Sequence, residues 1–144
     1  MKQATRREIE LSCERLSIAY SRALDFRDYD AFFDLFTEDA ELDAGQPLCG
    51  LSEIREAIRR RPDELKSRHV ITNVFIDVIS PTEARGIAYL TLYRHVGPES
   101  LSGTPIDLQG VAAVGHYEDR FALTDGGWRI SRRKLHLAFR RPSN

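Results

Sequence analysis

The second half of the chain consists of four long runs rich in β-branched and aromatic residues, and this feature constrains the fold most. The runs span residues 69–80, 84–96, 106–124 and 127–140. Short connections with proline or glycine turn signals separate them. Such runs predict four strands. Because the connections are too short for crossover helices, the strands are expected to form an antiparallel sheet.

The first 65 residues carry helical periodicity instead. Residues 5–26 place apolar side chains at spacings of four and three, which predicts an amphipathic helix. Asp28 or Asp30 can cap a second, shorter helix with a phenylalanine-rich face. A short strand is predicted over residues 40–43. Gly50 and Ser52 then open a third helix, which Pro62 limits.

The order of elements is therefore α-α-β-α-β-β-β-β, which is an α+β pattern. Helices and sheet must cover each other, so the curved antiparallel sheet is expected to wrap around the three helices. The result would be a cone-shaped, barrel-like domain with a pocket inside. The length of 144 residues suits a single domain over 1–144.

Composition excludes several classes of function. The chain is 42% hydrophobic and 30% charged with a net charge of −1, so nothing favours nucleic acid or an anionic membrane. The basic triplet at residues 59–61 is surrounded by acids and predicts a solvated helix end. Cys13 and Cys49 lack metal or redox spacing, which favours reduced thiols in a cytoplasmic protein. No apolar run approaches the roughly 20 residues of a membrane span.

The segment "GVAAVG" at residues 110–115 shows no alternation of apolar and polar residues. Both faces of that strand would then be covered, one by the pocket and the other by a second copy of the chain. This predicts a homodimer through the outer face of the sheet. The alternative is a doubly covered strand inside a monomer.

Together with the order of elements, the segments "ALDFRDYDAFFDLFTEDAELD", "RHVITNV" and "GHYEDRFALTDGGWRISRR" resemble the SnoaL-like branch of the nuclear transport factor 2-like superfamily. The resemblance covers nearly the whole chain and implies the cone-shaped fold of that group. Its members include polyketide cyclases, dehydratases, steroid isomerases, a dehydrochlorinase, dioxygenase small subunits and binding domains. Function must therefore be argued from the site.

The resemblance implies four catalytic residues. Asp25 and His69 match the His-Asp pair of the dehydrochlorinase and of the bile-acid dehydratase. Tyr20 lies where that dehydratase has a tyrosine, and Arg133 matches a cavity arginine of the dehydrochlorinase. Arg132 is the alternative if the strand register differs by one residue.

These residue types suit proton transfer. An imidazole can take a proton from carbon and return it to a leaving oxygen, and a carboxylate beside it stabilises the imidazolium. A tyrosine can donate a hydrogen bond to developing charge, and an arginine can hold an enolate or carboxylate. The hypothesis is a cofactor-free lyase, isomerase or cyclase that acts on a small molecule.

Each residue also has a structural interpretation. Asp25 could cap or solvate the helix end, and His69 could be an exposed histidine at a strand start. Tyr20 could be a core residue with a satisfied hydroxyl, and Arg133 a surface arginine.

Alternate residues of a strand share a face. In the last run Arg133 therefore shares a face with apolar residues, and in the first run His69 shares a face with Phe75. An apolar or ring-containing ligand is accordingly expected to contact five apolar side chains. They are Phe33, Phe36, Phe75, Leu137 and Phe139. The alternative is that they belong to the core.

No metal or other cofactor is expected, because the four histidines are scattered one per strand without ligand spacing. A second hypothesis is a binding domain that holds a small ligand without chemistry. Leu92 favours it, since the resemblance predicts an acid there. A third is a structural partner resembling a dioxygenase small subunit, although the aromatic-rich segment of that group is missing.

Overall fold

The computed structural model describes residues 4–142, so the ends of the predicted 1–144 domain lie outside the described residues. The helices are α1 (Arg6–Asp25), α2 (Tyr29–Phe33) and α3 (Leu51–Arg59), with a short 3₁₀ turn at Pro98–Leu101. The strands are β1 (Phe36–Asp43), β2 (Pro47–Cys49), β3 (Leu65–Ser80), β4 (Glu83–Val96), β5 (Ala113–Thr124) and β6 (Gly127–Arg140).

Helix α1 is fixed at both ends, and this determines where its last residue points. Thr5 and Glu8 form a reciprocal capping box at the start. At the other end, the backbone N–H of Phe26 donates to the Arg22 carbonyl and that of Arg27 to the Leu24 carbonyl. The apolar stripe that the sequence predicts is buried against the sheet. Asp25 therefore closes α1 at a defined position beside β3.

The six strands form one curved, unclosed sheet in the order β2-β1-β6-β5-β4-β3. All neighbours pair antiparallel except β1 and β6, which run parallel. The predicted α+β class and the helix-wrapping sheet are confirmed. Two details were wrong: the sequence analysis missed β2, and the sheet is not purely antiparallel.

Strand β5 begins at Ala113, later than the predicted start at residue 106. Residues 110–112 precede it, so the first half of the "GVAAVG" segment lies outside regular strand structure. From Ala113 to Phe121, buried and more exposed positions alternate. The absence of alternation therefore marked a loop joining a strand, and it does not support a doubly covered strand.

Strand β3 contains a bulge that reverses its faces. Asn73 has φ 53, and the pairing with β4 shifts between Thr72 and Phe75. Before the bulge His69 and Ile71 face the helices. After it the inward positions are Val74 and Ile76, as their lower exposure shows. Phe75 is thereby turned to the outer face of the sheet.

Cys13 is buried and Cys49 exposed, and both are free thiols, as predicted. Within residues 4–142, the helices are all too short or too polar to cross a lipid bilayer.

Candidate active site

Asp25 and His69 contact each other where the end of α1 meets β3. The Nδ1 atom of His69 lies 2.6 Å from Oδ1 of Asp25. The backbone N–H of His69 donates to the other carboxylate oxygen at 2.8 Å. The side chain of Asp25 is 7% exposed and that of His69 is 11% exposed. The carboxylate at the helix end is thus turned inward, and the surface interpretation of Asp25 is excluded.

The electrostatics of the pair favour an ionised Asp25 and a proton on Nδ1 of His69. Burial opposes ionisation of Asp25, but the hydrogen bonds from the His69 side chain and backbone outweigh it, so the pKa of Asp25 is lowered. An ionised carboxylate only accepts hydrogen bonds, so Nδ1 of His69 must carry the proton. Its Nε2 atom makes no hydrogen bond within residues 4–142, and in the neutral ring with the proton on Nδ1 this nitrogen holds the lone pair.

Two further residues that were not predicted from the sequence support the carboxylate, Ser67 directly and Arg61 through Ser67. The Ser67 hydroxyl donates to Oδ1 of Asp25 at 2.9 Å. A guanidinium nitrogen of Arg61 lies 3.4 Å from that hydroxyl, and another bonds to the Leu24 carbonyl. Alternation signals Ser67, since it lies two residues before His69 on the same face. The prediction that the whole basic triplet at residues 59–61 is solvated was wrong for Arg61. Its side chain turns inward, whereas Arg59 and Arg60 are exposed.

A cavity of about 370 Å³ opens beside His69. Eight leucine and isoleucine side chains from helices α1 and α3 and from the sheet line it: Leu24, Leu42, Leu48, Ile58, Leu65, Leu90, Leu92 and Leu135. The polar side chains in this wall include Gln46, Arg61 and Arg94. A pocket of this size and character suits a small, largely apolar molecule with a few polar groups.

Tyr20 lines the same cavity from helix α1. Its ring packs against Phe32 and Tyr117, with centroid distances of 5.0 and 5.6 Å. Burial raises the pKa of Tyr20, so its phenol stays protonated. The position fits both the predicted donor role and the core alternative, because the side chain belongs to core and wall at once.

Arg133 faces inward as predicted, but its guanidinium group is already paired with a carboxylate of the protein. Its Nε and one terminal nitrogen bind the two Asp119 oxygens at 2.7 and 2.9 Å, and Ser17 accepts at 2.7 Å. The guanidinium lies 4.3 Å from the Tyr20 ring centroid and 4.0 Å from that of Tyr117. It is absent from the cavity wall around His69.

The surface interpretation of Arg133 is excluded, and so is the fallback to its neighbour. Arg133 is fully buried, whereas Arg132 is exposed and lies 3.6 Å from Glu41. Asp119 was missed by the sequence analysis. Its signal is the register, since Asp119 lies directly across from Arg133 on the inward face of β5.

The five apolar residues expected to bind a ligand do not line this cavity, which corrects that prediction. Phe33 and Phe36 are buried in the core between α2 and the sheet. The β3 bulge turns Phe75 outward. Leu137 and Phe139 lie near the end of β6 and are more than half exposed. Leucines of the strands form most of the apolar wall in their place, with Leu24 of α1 and Ile58 of α3.

Comparisons with known proteins agree with the fold. The sequence profile of the SnoaL-like domain matches residues 5–134. A search of curated proteins finds no match.

Several solved structures from Novosphingobium species are similar. A protein provisionally named a scytalone dehydratase, from N. aromaticivorans, is 22% identical, covers 96% of this chain and 90% of its own, and has a TM-score of 0.78. A protein from N. aromaticivorans described as an NTF2-like protein with a cystatin-like fold is 23% identical over 91% of this chain and 82% of its own, with a TM-score of 0.74. The hexachlorocyclohexane dehydrochlorinase LinA-type3 from N. barchaimii LL02 is 15% identical over 96% and 92%, with a TM-score of 0.77.

Proposed function

Because this chain belongs to the SnoaL-like domain family, we propose that it is a small-molecule lyase, isomerase or cyclase that uses His69 and Asp25 as a general acid–base pair. The reaction needs no cofactor in this proposal. The substrate is a small, largely apolar carbonyl compound with an acidic C–H bond next to the carbonyl group.

The observation that carries the proposal is the 2.6 Å contact between Asp25 and His69 at the wall of an apolar cavity. A carboxylate bound to Nδ1 fixes the ring so that Nε2 is the basic atom. It also stabilises the imidazolium that forms when Nε2 takes a proton. A histidine with only a structural role would not need its second nitrogen free at a cavity.

The proposed step begins with Nε2 of His69 removing a proton from the carbon next to the carbonyl group. The C–H electron pair moves into the carbonyl system and forms an enolate. In elimination, these electrons form a C=C bond while the C–O bond at the β-carbon breaks. The departing oxygen takes the proton from the imidazolium, so the net product is an enone and water. Return of the proton to another carbon gives isomerisation. Attack of the enolate carbon on a second carbonyl gives ring closure, and the alkoxide that forms takes the proton from the imidazolium.

Tyr20 and Arg133 take different parts in the proposal. The neutral phenol of Tyr20 lines the cavity and is suited to donate a hydrogen bond to the enolate oxygen. Arg133 is already paired with Asp119, so it acts as a positioning residue that holds the Tyr20 ring. This changes the anion-binding role that the resemblance implied for Arg133.

One observation favours the binding alternative. Leu92 lies directly across from His69 in the sheet and lines the cavity, where the resemblance predicts an acid. A mechanism with two separate acids is therefore unsupported here, whereas a single His-Asp base needs no further acid.

The test is deuterium exchange at carbon, since it detects proton abstraction whatever step follows. Small hydroxy-ketones and hydroxy-enones are incubated with the protein in D₂O and followed by NMR. General base catalysis contributes about 10²–10⁴-fold, so His69→Ala is expected to lose that much exchange and turnover. His69→Gln serves as a second variant that preserves side-chain volume.

His95→Ala is the matched control. This histidine lies on β4 beside Glu99, outside the cavity wall around His69, and the substitution is expected to leave exchange unchanged. Equal exchange by wild type and His69→Ala would remove the histidine from the mechanism. Binding of these compounds without exchange by the wild type would favour the binding domain.

A further inference from the structure

The outer face of the sheet gathers two histidines and a glutamate that the reaction does not use. His116 on β5 and His136 on β6 are direct cross-strand partners. Glu118 lies two residues after His116 and so projects from the same face. No metal was expected from the sequence because the histidines lack ligand spacing, but the β5–β6 register brings two of them together.

The three side chains converge on one point. The His116 Nε2 atom lies 3.4 Å and the His136 Nε2 atom 3.1 Å from the two oxygens of Glu118. The two rings are stacked, with centroids 4.9 Å apart and planes 14° apart. The side chains can offer three ligand atoms that all lie within 4.8 Å of one another.

We propose that His116, Glu118 and His136 form a binding site for a divalent transition-metal ion, with zinc as the best fit. Zinc binds imidazole nitrogen at about 2.0–2.1 Å and carboxylate oxygen at about 2.0–2.2 Å. Ligand atoms around one tetrahedral ion are then about 3.3 Å apart, close to both measured nitrogen–oxygen distances. Small side-chain rotations bring the two imidazole nitrogens to the same ion.

Two further features support a binding site over a chance ion pair. The Nε2 atom of His136 is buried, and although it lies near Glu118 it has no hydrogen bond of acceptable geometry within the described chain. The backbones of β5 and β6 also approach each other closely at this point. A side chain on Gly115 would lie 2.2 Å from the His136 carbonyl oxygen, so the two strands approach closely only because glycine is there.

The expected site has three protein ligands and an open position. Two histidines and one carboxylate are a ligand set found in zinc sites that retain a solvent position. The site lies on the face of the sheet opposite His69, because His116 and Glu118 alternate with the inward residues of β5. It is therefore independent of the proposed acid–base pair.

The test is a titration of the tag-free protein with zinc chloride, followed by calorimetry and by NMR of the histidine rings. One ion per chain is expected to bind, with shifts confined to His116 and His136. Loss of one ligand should weaken zinc binding at least tenfold. Even the loss of a residue that only hydrogen-bonds to a metal ligand lowers metal affinity by about 10–100-fold. Glu118→Gln is the main variant, because it preserves size and leaves the strands intact. His136→Ala is the second.

His95→Ala is again a matched control, since His95 and Glu99 form a histidine–glutamate pair that lacks a third ligand among residues 4–142. It should bind zinc as the wild type does. The proposal is overturned if the wild type binds no zinc at millimolar concentration. It is also overturned if Glu118→Gln binds zinc as tightly as the wild type. The same holds if, in the wild type, zinc shifts the NMR signals of His95 as strongly as those of His116.

Discussion

At the scale of single residues, Asp25 shows how a charge is kept inside an apolar pocket. Burial alone would favour the neutral acid. Three donors, the Nδ1–H and backbone N–H of His69 and the Ser67 hydroxyl, hold the ionised form instead. The carboxylate is thus fixed in charge and position, and it can orient the imidazole at no further cost during a reaction.

The lowered pKa of Asp25 predicts a contribution to stability that depends on pH. Because the folded-state pKa lies below the unfolded value of about 3.9, the stabilisation is present above that value. It is lost as the pH falls through the folded-state pKa. Asp25→Asn should therefore reduce the loss of unfolding free energy between pH 6 and pH 2.5, measured by urea denaturation.

Asp107→Asn supplies the comparison for this measurement. Asp107 is exposed in the loop before β5, and its substitution should leave the pH dependence unchanged. If Asp25→Asn retains the full acid sensitivity of the wild type, the native carboxylate is not held by these three donors.

At the scale of elements, a buried ion pair between Arg133 and Asp119 joins β6 to β5, and the hydrogen bond from Arg133 to the Ser17 hydroxyl connects both strands to helix α1. Breaking such a pair by removing one partner costs about 3–5 kcal/mol, because an uncompensated charge stays buried. Arg133→Met should lower the free energy of unfolding by about that amount. The double variant Arg133→Met/Asp119→Leu should recover a large part of the loss. Chemical denaturation of both variants measures this coupling.

The neighbouring arginine provides the control. Arg132 is exposed and pairs with Glu41 at 3.6 Å. Exposed pairs contribute about 0–1 kcal/mol, so Arg132→Met should change the unfolding free energy only slightly. Similar effects at both positions would show that the Arg133 pair is not the source of the stabilisation.

Elements also explain which features the sequence could predict. Periodicity predicted α1 within one residue at each end and β6 over the same residues that the structure shows. It failed where a bulge breaks alternation. Counting by two placed Phe75 beside His69, but Asn73 adopts a positive φ and moves Phe75 to the other face. Single-sequence patterns do not reveal such bulges.

The contact between Asp25 and His69 could be predicted only through the resemblance, because 44 residues separate them in the chain. Local rules place one at a helix end and the other at a strand start, without joining them. Asp119 and Arg61 were missed for a related reason. The register of β5 with β6 determines where the side chain of Asp119 points, and the direction of the chain after α3 determines where that of Arg61 points. Both depend on tertiary packing.

At the scale of the whole molecule, part of the outer face of the sheet is apolar and exposed. Strands β3 and β4 expose a group of apolar side chains there: Val70, Phe75, Ile79, Ile87 and Tyr89. Contiguous apolar surface of this kind marks interaction sites in stable proteins. Acidic Asp77 and Glu118 and basic Arg85 and Arg120 border the same area. A patch that carries both signs can be complementary to itself, as a two-fold dimer requires.

We therefore expect two copies of the chain to associate through this face, with Phe75 at the contact. Phe75 is 71% exposed, so a charge there would be tolerated by the fold but would oppose burial in an interface. Phe75→Asp should shift the protein to monomer in light scattering across a dilution series. Phe26→Asp is the matched control, because Phe26 is 66% exposed but lies at the end of α1. EDTA in the buffer excludes bridging by metal at Glu118. A wild-type monomer at high concentration, or equal effects of the two substitutions, would contradict association through the sheet.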